Sequence, residues 1–279
     1  MNLKAVISTA GFGSRFFPLT IAVNKSLLPI LNRPVIDYLV SELLPAGVRD
    51  IAFVTLPGDD QIRRYFEKSD WIERYLRDRK WEEKYEPVKR LYDRLADVRF
   101  EWIEQPVDGN YGTAIPPLLA RDWIGDSDWF LLSGDDVVLR ADGGSDLADL
   151  VRDRDKAGVP AGLQVTEVPR DRVSRYGIIR TRKHGAWDVL DGAVEKPSPE
   201  NAPSNLASIS RFLLKPDFFR TLEDLDPDPQ SGEYQSIAAL ITYAADHPVL
   251  VHKIAGEYHD CGQPSSWLDA NNAAARIFG

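Results

Sequence analysis

Residues 3–29, LKAVISTAGFGSRFFPLTIAVNKSLLP, decide how the first part of the chain folds. The apolar run from Leu3 to Ile7 is too short for a helix before the glycines begin, so it predicts a buried strand. The strand leads into a loop with Gly11 and Gly13, which let backbone N–H groups approach a ligand closely. This arrangement indicates a ligand-binding loop at the end of a strand.

The same loop carries two cations, Arg15 and Lys25. Arg15 offers a planar fork of donors and Lys25 a point charge, and together they suit a polyphosphate. On glycine spacing alone, a structural turn and a dinucleotide-binding loop are equally good interpretations. Neither standard phosphate motif fits, because Phe16 stands where G-x-G-x-x-G needs its third glycine and no Gly-Lys-Ser/Thr follows.

Composition limits the class of protein. With 279 residues, 43% of them hydrophobic, the chain is long enough for one large α/β domain or two small ones. Its formal net charge of −9 disfavours a general binder of nucleic acid or anionic membranes. No apolar run reaches the length of a membrane span, no signal peptide is evident, and the single cysteine excludes an internal disulfide framework. We therefore expect a cytoplasmic protein with no nucleic-acid or membrane partner.

Beyond the loop, helical and strand patterns alternate. Pro34 opens an apolar helical pattern that ends at Gly47, before a strand at 51–54. The charged, aromatic-rich segment 59–95 predicts surface helices interrupted near Pro87. Further predicted elements are strands at 98–103, 129–132, 161–168 and 249–254, a hairpin turning at His184 and Gly185, and helices near 113, within 142–156 and at 237–241. This order predicts an α/β fold with a doubly wound, mostly parallel sheet that binds ligands at the carboxyl ends of its strands.

Two adjacent carboxylates, Asp135 and Asp136, follow the strong strand at 129–132. The carboxyl end of a strand is where open α/β sheets place ligands. The two negative charges repel each other, and Mg²⁺ would relieve this because it takes oxygen ligands and bridges carboxylates to phosphates. Such a pair is also common in plain turns.

Several motifs, taken together, resemble the signature of the sugar-1-phosphate nucleotidylyltransferases. The patterns A-G-x-G-S-R-x-x-P-x-T at 10–20 and N-K-S-L-L-P at 24–29 are similar to that family's G-x-G-T/S-R-x-x-P-x-T and P/S-K-x-x-L-P. Gly-Asp at 134–135, V-E-K-P at 194–197 and APSNLASISRFLL at 202–214 extend the match. The resemblance covers the chain from Leu3 to about Ala274.

The resemblance implies a fold and a set of site residues. The fold is a Rossmann-like nucleotide-diphospho-sugar transferase domain over residues 1–279, with a nucleotide-binding half (1–140) and a smaller sugar-binding half (141–279). The implied residues are Arg15, Lys25 and Lys196 for catalysis, Ala10, Gly11, Gly13, Gln105 and Gly112 for the nucleotide, Gly177, Glu195 and Lys196 for the sugar phosphate, and Asp135 and Asp260 for Mg²⁺. A role for Asp136 is left open, because the family varies there.

The resemblance also implies a reaction. A nucleotidyl group passes from UTP to a sugar 1-phosphate, with glucose 1-phosphate the expected sugar, in an Mg²⁺-dependent direct displacement that releases pyrophosphate. The attacking phosphate is already ionised, so no general base is needed. The expected partners are therefore UTP or dTTP and a sugar 1-phosphate, and a homo-oligomer, dimer or tetramer, is expected.

Two branches of the family compete, one using UTP and one using dTTP. The helical insertion at 59–95, PSNLA at 203–207 and HDCG at 259–262 favour the uridylyl branch, whereas IAVNK at 21–25 and Gln105-Pro106 favour the thymidylyl branch. Because three features favour the uridylyl branch and two favour the thymidylyl branch, we expect UTP as the nucleotide substrate.

Three residues of the signature depart from the uridylyl pattern. Ile21, Asn24 and Ser26 stand where that branch has lysine, proline and glutamate or glutamine. Ser26 is too short to reach as far, which leaves the base and sugar open, including an unusual sugar. A non-catalytic regulatory paralogue that binds nucleotide sugars is a further alternative, and so is a Rossmann oxidoreductase. The intact cations and carboxylates disfavour the first of these, and the missing third glycine disfavours the second.

Overall fold

The computed structural model describes residues 2–279 as an alternation of strands and helices. The strands are β1 (Leu3–Ser8), β2 (Pro29–Ile30), β3 (Arg33–Pro34), β4 (Asp50–Thr55), β5 (Arg99–Glu104), β6 (Asp128–Ser133), β7 (Asp136–Leu139), β8 (Ala161–Glu167), β9 (Gly177–His184), β10 (Trp187–Glu195), β11 (Leu206–Leu214), β12 (Val249–Lys253) and β13 (Glu257–Asp260). The α-helices are α1 (Val35–Leu43), α2 (Gln61–Phe66), α3 (Asp70–Asp78), α4 (Glu82–Arg94), α5 (Ile115–Leu119), α6 (Arg121–Ile124), α7 (Asp146–Ala157), α8 (Phe218–Glu223), α9 (Ser236–Tyr243) and α10 (Pro264–Phe278).

Within residues 2–279, nine strands form the main sheet in the order β5-β4-β1-β6-β11-β8-β12-β10-β9. The first four strands in this order run parallel to one another. Strand β11 then pairs antiparallel with both β6 and β8, β12 runs parallel to β8, and β9 and β10 form the predicted hairpin. The prediction of an α/β doubly wound sheet is confirmed. The sheet is mixed rather than mostly parallel, because four of its nine strand pairings are parallel and three of those four lie in the first half of the chain.

Helices cover both faces of this sheet because β1 is apolar on both sides. Leu3, Ala5 and Ile7 of β1 pack in a cluster with side chains of α1, α2 and α7. Val6 points to the other face, where it joins a cluster with α6, α8 and α9. Both layers therefore fix the end of β1, from which the glycine loop departs.

A second, smaller sheet lies next to that loop. Strands β7 and β13 pair antiparallel, which sets Asp136 directly opposite Asp260. Helix α10 packs Ala270, Ala273 and Ala274 in a cluster with residues of β2 and β7. Helix α10 and strand β13 thus hold Asp260 close to Asp136, which follows β6.

The charged insertion forms three helices, but it is not interrupted where the sequence predicts. Pro87 lies inside α4, so the predicted break there is wrong: proline fixes φ near its helical value and removes only one N–H donor from the second turn. The breaks lie instead at Glu67, which is extended, and at Lys80, whose φ is +56°. Arg94, at the end of α4, pairs with Asp37 of α1 and anchors the insertion to the body.

The helices of residues 2–279 include none that is both long enough and apolar enough to cross a membrane.

Candidate active site

The glycine loop is built around a left-handed residue. Gly13 has φ +62°, and a Cβ there would come within 3.0 Å of Thr20 and 3.2 Å of Lys25. The Thr20 hydroxyl donates to the Gly13 carbonyl at 2.8 Å, which folds the loop back on itself. At Gly11, an added Cβ would lie 3.5 Å from Lys25 Nζ. The two glycines therefore let the Lys25 side chain run close beneath the loop backbone.

Asn24 makes four hydrogen bonds that hold the segment carrying Lys25. Its side-chain amide donates to Asp59 at 2.8 Å and to the Thr9 carbonyl at 3.2 Å, and its Oδ1 accepts from the Ser26 N–H at 2.9 Å. Its own N–H donates to Gln61 Oε1 at 3.1 Å. Asn24 thus joins the end of β1, the loop after β4 and the turn that carries Lys25.

Lys25 pairs with the first predicted metal carboxylate. Its Nζ lies 2.5 Å from Asp135 Oδ2, and the Ser133 hydroxyl donates to Asp135 Oδ1 at 2.5 Å. Burial opposes ionisation of Asp135, but the Lys25 charge and the hydrogen bonds from Lys25 and Ser133 outweigh it, so the pKa of Asp135 is lowered. The structure therefore presents Asp135 as a buried carboxylate that is charged at neutral pH.

Asp135 and Asp260 converge on Gly262. A Cβ at Gly262 would lie 2.3 Å from Asp135 Oδ2 and 3.0 Å from Asp260 Oδ1, so the two oxygens are no further apart than the sum of these distances. Asp260 Oδ1 accepts from the Gly262 N–H at 3.0 Å, and Oδ2 accepts from Gln263 at 2.6 Å. Glycine at 262 is thus what allows two carboxylates, 125 positions apart in the sequence, to share one cleft.

Asp136 has a different environment from Asp135. Its Oδ1 accepts from the Tyr258 hydroxyl at 2.6 Å, and the side chain is buried. Burial, reinforced by the neighbouring charges of Asp135 and Asp260, raises the pKa of Asp136 well above its ordinary value. Asp135 and Asp136 are adjacent in sequence, yet the pKa of Asp135 is lowered and the pKa of Asp136 is raised.

The oxygen donors of Asp135 and Asp260 fit the Mg²⁺ that the family implies. Across residues 2–279 no three His, Cys, Asp or Glu side chains group as a metal cage. Mg²⁺ does not need one, since it is held by one or two carboxylates together with waters and substrate phosphates. Their role as metal ligands stays a prediction.

A cavity of about 410 Å³ opens beside the loop. It is lined by four of the five predicted nucleotide residues, Ala10, Gly11, Gln105 and Gly112, and by Lys25. The fifth, Gly13, does not line it. Lys25 is thus shared between the cavity and the carboxylate pair.

Tyr111 and Glu233 also line the cavity, although neither was predicted to. The loops that carry them pair through backbone bonds, in which Tyr234 donates to the Tyr111 carbonyl and Ala114 donates to the Tyr234 carbonyl, both at 2.9 Å. Gly112 has φ +124°, and a Cβ there would lie 2.4 Å from the Tyr234 carbonyl oxygen. The close approach at Gly112 is the one sequence signal for this contact, and it does not name the partner loop.

The predicted sugar residues form a separate group. Gly177 and Glu195 are register partners in the β9–β10 hairpin, and a Cβ at Gly177 would lie 3.0 Å from Glu195 Oε2. Lys196 follows with φ +44°, and its Nζ lies 3.2 Å from Glu195 Oε1. A non-glycine residue in this conformation is a form of strain often found at binding sites. The structure brings these three residues together at the hairpin end.

Arg15 stands apart from both groups. It lies on a short 3₁₀ turn, is exposed, and makes no ion pair with any residue from 2 to 279. Its phosphate role stays a prediction.

Comparison with known proteins places the chain. A model of the nucleotidyl transferase family matches residues 4–276. The chain belongs to this family. The nucleotidyl transferase described here is 34% identical over 276 residues to a UTP–glucose-1-phosphate uridylyltransferase of Pseudomonas aeruginosa, covering 98% of this chain and 95% of that protein. It is also 34% identical over 266 residues to a protein of the same name from Bacillus subtilis, covering 95% and 88%.

Solved structures agree. A crystal structure of apo UDP-glucose pyrophosphorylase matches this transferase with a TM-score of 0.89 at 29% identity, covering 99% of each chain. The same protein type in complex with UDP-glucose matches with a TM-score of 0.86, again over 99% of each chain. The predictions of the family, of the nucleotide-diphospho-sugar transferase fold and of an enzyme of the nucleotidyl-transfer class are confirmed.

Proposed function

We propose that this nucleotidyl transferase joins UTP and glucose 1-phosphate to give UDP-glucose and pyrophosphate. Two curated relatives named as UTP–glucose-1-phosphate uridylyltransferases match it along nearly its whole length. Residues predicted from the motifs to bind the nucleotide line one cavity, which supports a nucleotide there.

One observation carries the proposal. Lys25 both lines the 410 Å³ cavity and pairs with Asp135 at 2.5 Å. A nucleotide in the cavity can place its phosphates against Lys25, whose partner Asp135 converges with Asp260 at Gly262. This is the arrangement that phosphoryl chemistry needs, because most of its barrier is lowered by positioning and charge neutralisation.

Each charged residue then has a stated task. The phosphate oxygen of glucose 1-phosphate attacks the α-phosphorus of UTP, and the bond to the pyrophosphate oxygen breaks. Lys25 and Arg15 neutralise the leaving pyrophosphate, and Lys196 steadies the incoming phosphate. Glu195 accepts hydrogen bonds from sugar hydroxyls, and Gly177 lets the sugar approach the backbone.

Asp135 and Asp260 would hold Mg²⁺ in this scheme. When bound, the ion supplies charge neutralisation to the phosphates of both substrates. With Asp135 on the ion, Lys25 would turn from this carboxylate, 2.5 Å away, to the phosphates.

The remaining expectations are part of the same proposal. We assign nucleotide binding to residues 1–140 and sugar binding to residues 141–279, within one domain. A homo-oligomer and a cytoplasmic location are proposed as well, the latter from the cysteine content.

The test is a matrix of substrates read by pyrophosphate release. UTP, dTTP, ATP and GTP are each combined with glucose, galactose and N-acetylglucosamine 1-phosphates in the presence of Mg²⁺. We expect the highest kcat/KM for UTP with glucose 1-phosphate. A higher value for dTTP would assign the chain to the thymidylyl branch, a higher value for another sugar would replace glucose, and no release with any pair would favour the regulatory alternative.

A further inference from the structure

Arg211 is a fully buried arginine that the proposed reaction does not use. It lies in β11, where the pairing with β8 is broken by a bulge between Ser208 and Phe212, and Ser210 in that bulge has φ +53°. Bulges re-aim side chains and are concentrated next to active sites. The function of the bulge therefore lies in the contacts that it gives Arg211.

Arg211 reaches from the bulge to the turn that carries the carboxylates. Its Nη2 donates to the Asp136 carbonyl at 3.1 Å, and its Nη1 donates to Glu42 of α1 at 2.8 Å. On the other side of the same turn, the Cys261 N–H donates to the Asp135 carbonyl at 2.9 Å. The Asp135–Asp136 backbone is thus held from two directions, by β11 and by the segment after Asp260.

The Nε of Arg211 lacks a partner among residues 2–279, so its hydrogen bonds to Glu42 and to the Asp136 carbonyl are the contacts that satisfy it. Glu42 is anchored in turn, because its carbonyl accepts from the Ser145 hydroxyl at 2.8 Å. Gln164 of β8 lies opposite the bulge, fully buried, with both ends of its amide lacking a partner among residues 2–279. Burying an arginine is costly unless it is paired and hydrogen-bonded, and the Glu42 carboxylate and the Asp136 carbonyl are the partners that Arg211 has here.

We propose that Arg211, fixed by Glu42, is a positioning residue that sets the direction of the Asp135 carboxylate and thereby the metal affinity of the Asp135–Asp260 pair. Asp135 is one peptide before the carbonyl that Arg211 holds, so a change in that peptide re-aims the carboxylate. This rests on the proposed Mg²⁺ site, and groups that orient metal ligands from behind typically change metal affinity or activity by about 10- to 100-fold when they are altered.

The molecule offers a matched control. Arg154 is also a buried arginine in an ion pair, with its Nη1 2.6 Å from Asp128. Asp128 begins β6, whereas Asp135 follows the end of β6, so this pair lies at the opposite end of the strand. Arg211→Lys and Arg154→Lys both keep a positive charge and lose one arm of the guanidinium.

The experiment measures Mn²⁺ binding to the substrate-free protein by electron paramagnetic resonance, together with thermal unfolding. We expect Arg211→Lys to raise the Mn²⁺ Kd about 10-fold or more, and Arg154→Lys to leave it within about 2-fold of wild type. In the pyrophosphate assay, the Mg²⁺ concentration for half-maximal rate should rise by the same factor in Arg211→Lys, with the KM for UTP at saturating Mg²⁺ unchanged.

If Arg211→Lys does not fold, Glu42→Gln is tested in its place. This substitution keeps a hydrogen-bond acceptor for Arg211 but removes the negative charge, so the Mn²⁺ Kd should rise by a smaller factor. The inference is overturned if a folded Arg211→Lys, or Glu42→Gln in its place, binds Mn²⁺ as wild type does, if Arg154→Lys weakens binding equally, or if wild type binds no Mn²⁺. A protein that shows the predicted Mn²⁺ pattern but makes no UDP-glucose supports this inference and contradicts the proposed function.

Discussion

Replacing Lys25 by methionine separates the electrostatics of the site from its packing. The substitution keeps most of the side-chain volume and removes the charge that lies 2.5 Å from Asp135. Only 18% of the Lys25 side chain and 10% of the Asp135 side chain are exposed, so the variant leaves a buried carboxylate without its cation. Removing one partner of a buried pair costs about 3–5 kcal/mol, and the residual exposure of Lys25 places the expected loss near 3 kcal/mol in metal-free buffer.

The pH dependence of this loss has a definite sign. In wild type the lowered pKa of Asp135 stabilises the fold above the pKa of the unfolded chain, and this stability disappears as the pH falls through the folded pKa. In Lys25→Met, burial is opposed only by the hydrogen bonds that Asp135 keeps, such as that from Ser133, so its pKa rises and the folded variant loses stability as the pH rises. The difference between the two proteins should therefore be widest near neutral pH and should shrink towards about pH 4.

Urea unfolding with EDTA present, from about pH 4 to 8, measures this difference, and kcat is measured in parallel with Mg²⁺. We expect kcat to fall by about 10²- to 10³-fold, as for the loss of one transition-state donor. Lys253→Met is the control, because the Lys253–Glu167 pair is about half exposed and solvent screens it, so its loss should change the stability little. A Lys25→Met protein with wild-type stability and turnover, or with a stability loss that grows towards acid pH, would refute the reasoning.

Three further substitutions test other parts of the site. The raised pKa of Asp136 stabilises the fold only while the carboxyl is protonated, so this contribution is lost as the pH rises. Asp136→Asn should therefore make the free energy of unfolding, measured with urea in EDTA, fall less as the pH rises. An unchanged dependence on pH would contradict the described environment of Asp136. Gln105→Ala should lower the preference for UTP over other nucleoside triphosphates while kcat with saturating UTP changes less, and equal losses for every triphosphate would remove Gln105 from base contact. Asn24→Ala removes the hydrogen bonds to Asp59 and Thr9 and should reduce kcat about 10-fold or more, because Lys25 is then held less firmly. Wild-type kcat in a folded variant would show that Asn24 does not position Lys25.

Much of the fold follows from local pattern. The strand from Leu3, the helix after Pro34 and the hairpin at His184–Gly185 are predicted because apolar period and turn residues agree there. Pro87 was misjudged because proline is tolerated when a single lost hydrogen bond is outweighed by the rest of a 13-residue helix, whereas the real breaks at Glu67 and Lys80 carry no glycine or proline signal.

The candidate site residues are predicted from motifs and not from spacing. No local rule brings Asp260 to Asp135, because their meeting depends on β13 pairing with β7 and on the missing side chain at Gly262. Likewise, nothing in the sequence pairs Tyr111 with the loop before α9. The departure at Ser26 also has a meaning that sequence hides: its side chain is fully buried, and Ser26 Oγ would lie 2.9 Å from a Cβ at Gly134, so it faces the core rather than the cavity.

The central claim is that Asp135 and Asp260 share one divalent cation beside Lys25. A crystal grown with UDP-glucose and Mn²⁺, with anomalous scattering recorded for the metal, tests it most directly. The account predicts one strong Mn²⁺ peak bonded to an oxygen of each carboxylate and to a phosphate of the nucleotide sugar. A fully bound nucleotide sugar with Mn²⁺ bonded to neither carboxylate would contradict it.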